Sequence, residues 1–176
     1  MDRDKDTRRA AMLDDLADFV LDRGLDAASL RPMARAAGTS DRMLIYHFGD
    51  KDGLMAAVIG HVAARLTGML QARTAPTPLP ADRQQPLLLD MALEEDIWPY
   101  LRLWLQIAAR AGQGDPFCRA VGGQIGQGFI GWIAAQIDAE SDAARHAQAA
   151  RLFVLVEGLI LVRSLGLDGL CRPALD

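Results

Sequence analysis

Apolar residues recur three and four positions apart along most of this chain, and runs that alternate residue by residue are few. An α-helix returns side chains to one face at those intervals, whereas a strand does so at every second residue, so the pattern predicts an all-α protein. A first helix is expected over about residues 7–23, with Leu13, Leu16, Ala17 and Val20 inward and Gly24 ending it. Two short helices follow, 30–37 and 41–48, then a long one over about 51–72 in which Leu54, Val58, Val62 and Leu66 share a stripe. The segment TAPTPLPADRQQP reads as a loop, because Pro76, Pro78 and Pro80 cannot continue a helix. Further helices are expected near 86–95, 98–111, 116–137 and 142–165, with 166–176 as an irregular tail.

The two short helices carry the chemistry. Ser29 offers a hydroxyl to cap the first, and Pro32 falls in its opening turn, where a missing N–H has no helical partner to lose. Gly38 can take the left-handed conformation that ends a helix, and Ser40 restarts the next with Asp41 against the positive end of its dipole. Two helices joined by so short a turn form a helix-turn-helix over about 29–48, whose second helix can enter the major groove of DNA with its first residues at base edges. Leu44 and Phe48 share one side of that helix, flanked by His47, while Arg42, Met43 and Tyr46 project from the other. Arg42 is the expected base reader, since a guanidinium can bond O6 and N7 of guanine together. Lys51, next to the capping Asp50, is placed for a phosphate. The same geometry occurs in helical bundles that never meet DNA. There Tyr46 would be a half-buried aromatic, His47 a satisfied core histidine, and Arg42 and Lys51 solvated charges.

The exact string narrows these alternatives. Gly24, Ser29, Ala34, Ala37-Gly38, Thr39-Ser40, Leu44, Tyr46-His47-Phe48, Lys51-Asp52 and Leu54, in order and without a gap, resemble the DNA-binding domain of TetR-family transcriptional regulators. The resemblance covers about the first third of the chain. It implies a three-helix N-terminal helix-turn-helix domain, residues 1–50, joined through helix 4 to a helical effector-binding and dimerisation domain, residues 51–176. It also implies a repressor that binds palindromic double-stranded operator DNA as a homodimer and is released by a small-molecule effector. By that resemblance Arg31, Thr39, Ser40, Asp41 and Arg42 match positions that contact bases or nearby phosphates, and Met43, Tyr46, His47 and Lys51 match backbone-contacting or supporting positions. Three residues depart from the pattern. Ile45 stands where the family usually has a phosphate-contacting tyrosine, Met43 where a threonine is common, and Asp15 where helix 1 usually has a small apolar residue.

Charge adds a condition. The 176 residues carry a formal charge of −4, and nine basic residues face eleven aspartates within the first 54. DNA binders draw much of their affinity from phosphate neutralisation, so any positive excess must be local. Arg31, Arg35, Arg42 and Lys51 surround the expected reading surface, while Asp14, Asp15, Asp18 and Asp22 recur at helical spacing on the first helix and can face solvent. Cys118 and Cys171 are too few for a disulfide scaffold and lack metal-ligand spacing. The charged N-terminus lacks the apolar core of a signal peptide. The stretch 152–162, interrupted by Glu157, is too short to span about 30 Å of hydrocarbon. A soluble cytoplasmic protein is expected.

The last helix, ARLFVLVEGLILVRSL, is apolar nearly all round, which asks for burial on more than one side. Packing one side on its own core and the other on a symmetry mate would give a homodimer through the last two helices, and burial within one subunit is the alternative. The helix before it carries Gly122, Gly123, Gly126, Gly128 and Gly131, each costing about 1 kcal/mol against alanine, which points to close helix approach or to room for a ligand. Met91, Trp98, Tyr100, Leu103, Trp104, Phe117, Phe129 and Trp132 are candidates to line a mostly apolar small-molecule pocket, with ordinary core as the alternative for each. Glu157 must be paired, solvated or neutral, answering a cationic effector or merely Arg151 or Arg163. His47, His61 and His146 show no paired metal spacing and no nucleophile-base-acid set is evident, so no enzyme activity, metal or cofactor is expected. A small-molecule-binding helical dimer of the same fold that has lost DNA binding is the alternative function.

Overall fold

The structure is a computed structural model that describes residues 2–171, with side chains from Thr7 onward. Among the described residues nine α-helices follow one another: α1 (Asp2–Arg23), α2 (Leu30–Ala36), α3 (Asp41–Phe48), α4 (Lys51–Gln71), α5 (Ala81–Leu93), α6 (Trp98–Gly112), α7 (Pro116–Ala135), α8 (Asp142–Ser164) and α9 (Asp168–Cys171). The fold is all-α. The only pairing of extended backbone among these residues is a lone parallel bridge, Leu79 to Ile137.

Four expectations need correction. Helix α1 begins at Asp2 rather than near residue 7, because nothing in the charged opening breaks a helix. Ser29 makes no side-chain cap. A 3-10 turn, Leu25–Ala27, delivers the chain, and the carbonyl of Ser29 opens α2 by accepting from the Met33 N–H at 3.1 Å. Helix α5 starts at Ala81, five residues before Pro86, which lies inside it. The Pro80 carbonyl accepts from both Arg83 and Gln84 at 3.0 Å, and burial of Leu88, Leu89, Met91 and Ala92 offsets the one backbone bond that Pro86 removes. The tail is also not wholly irregular, since α9 occupies Asp168–Cys171, while the expectation for residues 172–176 lies outside the described residues.

Helix α4 is the hub. Its stripe of Leu54, Val58, Val62 and Leu66 is buried, and Met55, Ile59 and Leu70 widen it enough to pack on α1, α3, α6 and α7. By length and composition alone α4 could cross a membrane; its apolar surface is instead divided among these protein neighbours. The inward residues of α1, namely Leu13, Leu16, Ala17 and Val20, close the same core. A smaller core of Leu88, Ile133, Ala134, Ile137, Ala149 and Leu152 joins α5, α7 and α8. The proline loop is tied to it through Leu79, which donates to the Gln136 carbonyl at 2.9 Å and accepts from the Asp138 N–H at 2.8 Å.

Helix α8 buries Ala149, Leu152, Leu159 and Ile160. Its opposite stripe is not buried within the subunit: Val154, Leu161 and Leu165 are 70%, 53% and 64% exposed.

Candidate nucleic-acid interface and effector cavity

Local chemistry fixes α3. Gly38 adopts φ 58° at the turn, and Thr39 donates back to the Ala34 carbonyl at 2.8 Å. Ser40 Oγ then accepts from the Met43 N–H at 3.3 Å. Leu44, wholly buried, anchors one side of the helix against the core. Asp50 caps α4 by accepting from the Gly53 N–H at 2.7 Å. A Cβ at Gly53 would lie 2.4 Å from the Phe48 carbonyl oxygen, so α4 can start this close to the end of α3 only with glycine there. Sequence reasoning passes over Gly53, although a glycine in the opening turn of a long helix is a signal for it.

Arg31, Ser40, Arg42, Met43, Tyr46 and Lys51 are exposed, whereas Thr39, Asp41 and His47 are partly buried. Tyr46, 66% exposed, sets its ring edge-on to His47 with centroids 5.3 Å apart. His47 is not a satisfied core histidine, because its Nδ1 is buried without a hydrogen-bond partner. Ile45 is half-buried. Arg9 of α1 lies over the Phe48 ring at 5.0 Å, a cation–π contact between residues far apart in the chain that no local pattern announces.

This head is fastened to the body by two helices. From α4, His61 Nε2 meets Asp14 Oδ1 at 2.7 Å, and Arg65 Nη1 donates to Asp18 Oδ1 at 2.7 Å. The Asp18 hydrogen bond holds the Arg65 guanidinium above its ordinary pKa. Two of the α1 aspartates expected to face solvent therefore also link helices. From α6, Gln106 Oε1 accepts from the Leu25 N–H at 2.7 Å, Arg102 donates to the Leu21 carbonyl at 3.3 Å, and Arg110 pairs with Asp26. Gly24, at φ 76° and ψ 176°, admits the Gln106 amide, whose oxygen would lie 2.8 Å from a Cβ there.

On the far side of α4 and α6 lies a cavity of about 100 Å³, closed by α5, α7 and α8. Met91, Tyr100, Trp104, Phe129 and Trp132 line it, and Trp98 and Phe117 do not. Trp98 lies two positions from Tyr100, hence on another face of α6, where the Arg163 guanidinium covers its ring at 4.3 Å. Phe117 is eight residues before Ile125, the first α7 residue of the wall, and ~12 Å along the helix at 1.5 Å per residue. Leu103, also a candidate, lines it too, Glu157, weighed for a cationic effector, stands on the wall, and Ile59, Ile107 and Phe153 are wall residues that sequence reasoning does not select. The α7 glycines divide: a Cβ at Gly122 would touch Ile107 at 3.3 Å and one at Gly126 would meet Phe153 and Trp104 at 3.7 and 3.8 Å, so these two seat neighbouring side chains. Gly123, Gly128 and Gly131 face open space.

Glu157 is the charged side chain on this wall. Its two carboxylate oxygens accept from the single Trp104 Nε1–H at 3.0 and 2.8 Å. Burial pushes its carboxyl pKa up from the ordinary 4.5, and the indole bond partly opposes that shift. Neither arginine weighed as its partner serves it. Arg163 donates to the Ala92 carbonyl at 2.8 Å and to Glu95 at 2.9 Å, and Arg151 is exposed.

Comparison with known proteins agrees with this layout. Residues 19–58, from the end of α1 into α4, match the family model of bacterial regulatory proteins, tetR family. The chain is 26% identical over 162 residues to the HTH-type transcriptional regulator PksA of Bacillus subtilis, a match spanning 90% of this chain and 79% of that protein. It is 35% identical over 63 residues to the HTH-type transcriptional repressor Rv3405c of Mycobacterium tuberculosis, spanning 36% of this chain and 34% of that one. Its fold is shared by the multidrug binding protein EbrR complexed with proflavin, with a TM-score of 0.67, 20% identity and coverage of 96% and 97% of the two chains. A transcriptional regulator of Streptomyces coelicolor A3(2) shares it with a TM-score of 0.70, 21% identity and coverage of 94% and 96%. Residues 19–58 therefore carry the helix-turn-helix sequence of the tetR family, and the fold along the length of the chain is shared with solved regulators, which together support a TetR-family transcriptional regulator.

Proposed function

We propose that this regulator is a cytoplasmic repressor that binds a palindromic operator as a homodimer and releases it when a small molecule occupies the α4–α6–α7–α8 cavity. The observation that carries the reading is that α4 and α6 are at once walls of the cavity and the two helices fastened to the DNA-reading head. Residues 1–50 read DNA and residues 51–176 bind the effector and the partner subunit. Arg42 reads a base edge, while Lys51, Arg31, Tyr46 and the hydroxyls of Thr39 and Ser40 hold the phosphate backbone at both flanks. Asp41, Met43 and His47 shape and support that surface. Ser40 Oγ, already accepting from Met43, keeps its own hydrogen to donate to a phosphate.

The subunits join along α7 and α8. Val154, Gly158 and Leu161 on one face of α8 continue into its C-cap Leu165, three of the four being large exposed apolar residues and the glycine lying with open space around it. A two-fold axis through that face would cover the stripe. Release follows from size. Ligand pockets run to about 300–1,000 Å³, so an effector of more than one ring must displace the walls of a cavity of about 100 Å³. Helices α7 and α8 would be held by the partner, which leaves α4 and α6 to yield. Their movement shifts Asp14, Asp18, Leu25 and Asp26, and with them a recognition helix that must stay about 34 Å from its mate. The effector needs only to prefer that displaced arrangement. The complex of EbrR with proflavin supports a small-molecule occupant in this fold.

The test is gel retardation of duplexes from the promoter region of the chain's own gene. Wild-type protein should retard one palindrome, Arg42→Ala should relax base preference, and Lys51→Ala should weaken binding uniformly and lower the salt slope by about 1. Failure to retard any of these duplexes more than random DNA would contradict the reading and favour a dimer that has lost DNA binding.

A further inference from the structure

The wall of the effector cavity is apolar apart from indole and phenol edges and one carboxylate, Glu157. A carboxylate can accept about four hydrogen bonds, and this one receives a single indole N–H shared between its two oxygens. No basic side chain among the described residues answers it, and Arg163, six residues on, is committed to the Ala92 carbonyl, to Glu95 and to the Trp98 ring. Glu157 is half-buried, and a charge removed even in part from water is costly unless something neutralises it. The residue remains glutamate although glutamine would keep the shape without the charge.

We propose that the effector of this regulator is a lipophilic organic cation, with Glu157 as its counter-charge and the rings of Trp104, Phe129, Trp132 and Phe153 as its walls. This rests on the cavity being the effector site. A cation placed there meets unfilled carboxylate lone pairs and the negative faces of several rings, both strengthened by exclusion of water. A neutral ligand would leave the carboxylate uncompensated, and an anion would be repelled by it. Burial raises the Glu157 carboxyl pKa and a bound cation opposes that rise, so cation affinity increases with pH across the range in which this carboxyl titrates. Tyr100 is the other titratable side chain on the wall.

The test uses two ligands of nearly identical shape that differ by one charge, N-methylpyridinium and toluene, titrated calorimetrically into the full-length protein without DNA. The cation should bind at least about tenfold more tightly than toluene, and Glu157→Gln should reverse the order while leaving the circular-dichroism spectrum unchanged. Equal or tighter binding of toluene by the wild type overturns the proposal without reference to any variant. So does a cation preference of the same size in wild type and in Glu157→Gln. If neither ligand binds, the cavity is not an effector site and both readings fail. If the cation binds selectively but operator DNA stays bound, the proposal stands and only the release mechanism falls.

Discussion

The junction of Gly24 with Gln106 gives a prediction in which two substitutions must fail to add. Gln106→Ala removes the acceptor of the Leu25 N–H, a 2.7 Å bond that is partly buried, at a cost of about 1–2 kcal/mol. Gly24→Ala does two things. It forces a side chain into a backbone conformation, φ 76° and ψ 176°, that is nearly glycine-only and costs about 1–3 kcal/mol. It also puts a Cβ 2.8 Å from Gln106 Oε1, which must swing away and abandon Leu25. In the Gln106→Ala background the second effect is already absent, and only the backbone strain remains. The double variant should therefore be more stable than the sum of the singles implies, by about 1–2 kcal/mol, well outside the ~0.3–0.5 kcal/mol within which independent sites add. Denaturant unfolding of the four proteins measures this directly. Additivity would refute the claim that Gly24 exists to admit the Gln106 amide, and with it the α6 fastening of the head.

Three other perturbations probe separate parts. Gly53→Ala places a Cβ 2.4 Å from the Phe48 carbonyl, so it should destabilise by about 1–3 kcal/mol and weaken operator binding; an unchanged unfolding midpoint would show that α3 and α4 can part freely. Leu161→Glu alters a residue that is 53% exposed, so the subunit should keep its helical content while light scattering reports a monomer and operator affinity collapses. A dimer that survives this change would move the seam elsewhere. The Glu157 carboxyl, raised above 4.5 by burial, binds its proton more tightly in the folded chain than in the unfolded one. It therefore favours folding below about pH 4.5, and that contribution is lost as pH rises through the folded value. Glu157→Gln should match wild type in acid and exceed it in thermal stability near pH 7, and parallel pH profiles would contradict the uncompensated charge.

What is legible in the sequence follows from the range of the forces involved. The bounds of α3 are written in neighbouring residues, Ser40 as cap and Gly49 at φ 87° as stop, and local reasoning places them to the residue. The start of α5 escapes it, because that start depends on the Pro80 carbonyl and on burial of Leu88 and Leu89 by other helices, while Pro86 signals a break locally. The exposed residues of the reading helix can be assigned from 100° steps, whereas Arg9 over Phe48 and Gln106 beneath Leu25 are contacts of residues far apart in the chain. For the cavity, aromatic character is a good guide only where the helical face agrees. Tyr100, Trp104 and Ile107 form one stripe of α6 and line it, and Trp98 lies off that stripe. That Glu157 stands among apolar neighbours is plain from sequence, but that Arg163 is committed elsewhere needs the fold.

The most direct test of the central claim is selection of bound duplexes from a random pool by the full-length protein at physiological salt. A sequence with two-fold symmetry, its half-sites about one helical turn or ~34 Å apart, should be enriched by wild type and lost with Arg42→Ala. A pool that stays random through successive rounds, or an enriched site without two-fold symmetry, would contradict DNA reading by a dimer of this chain.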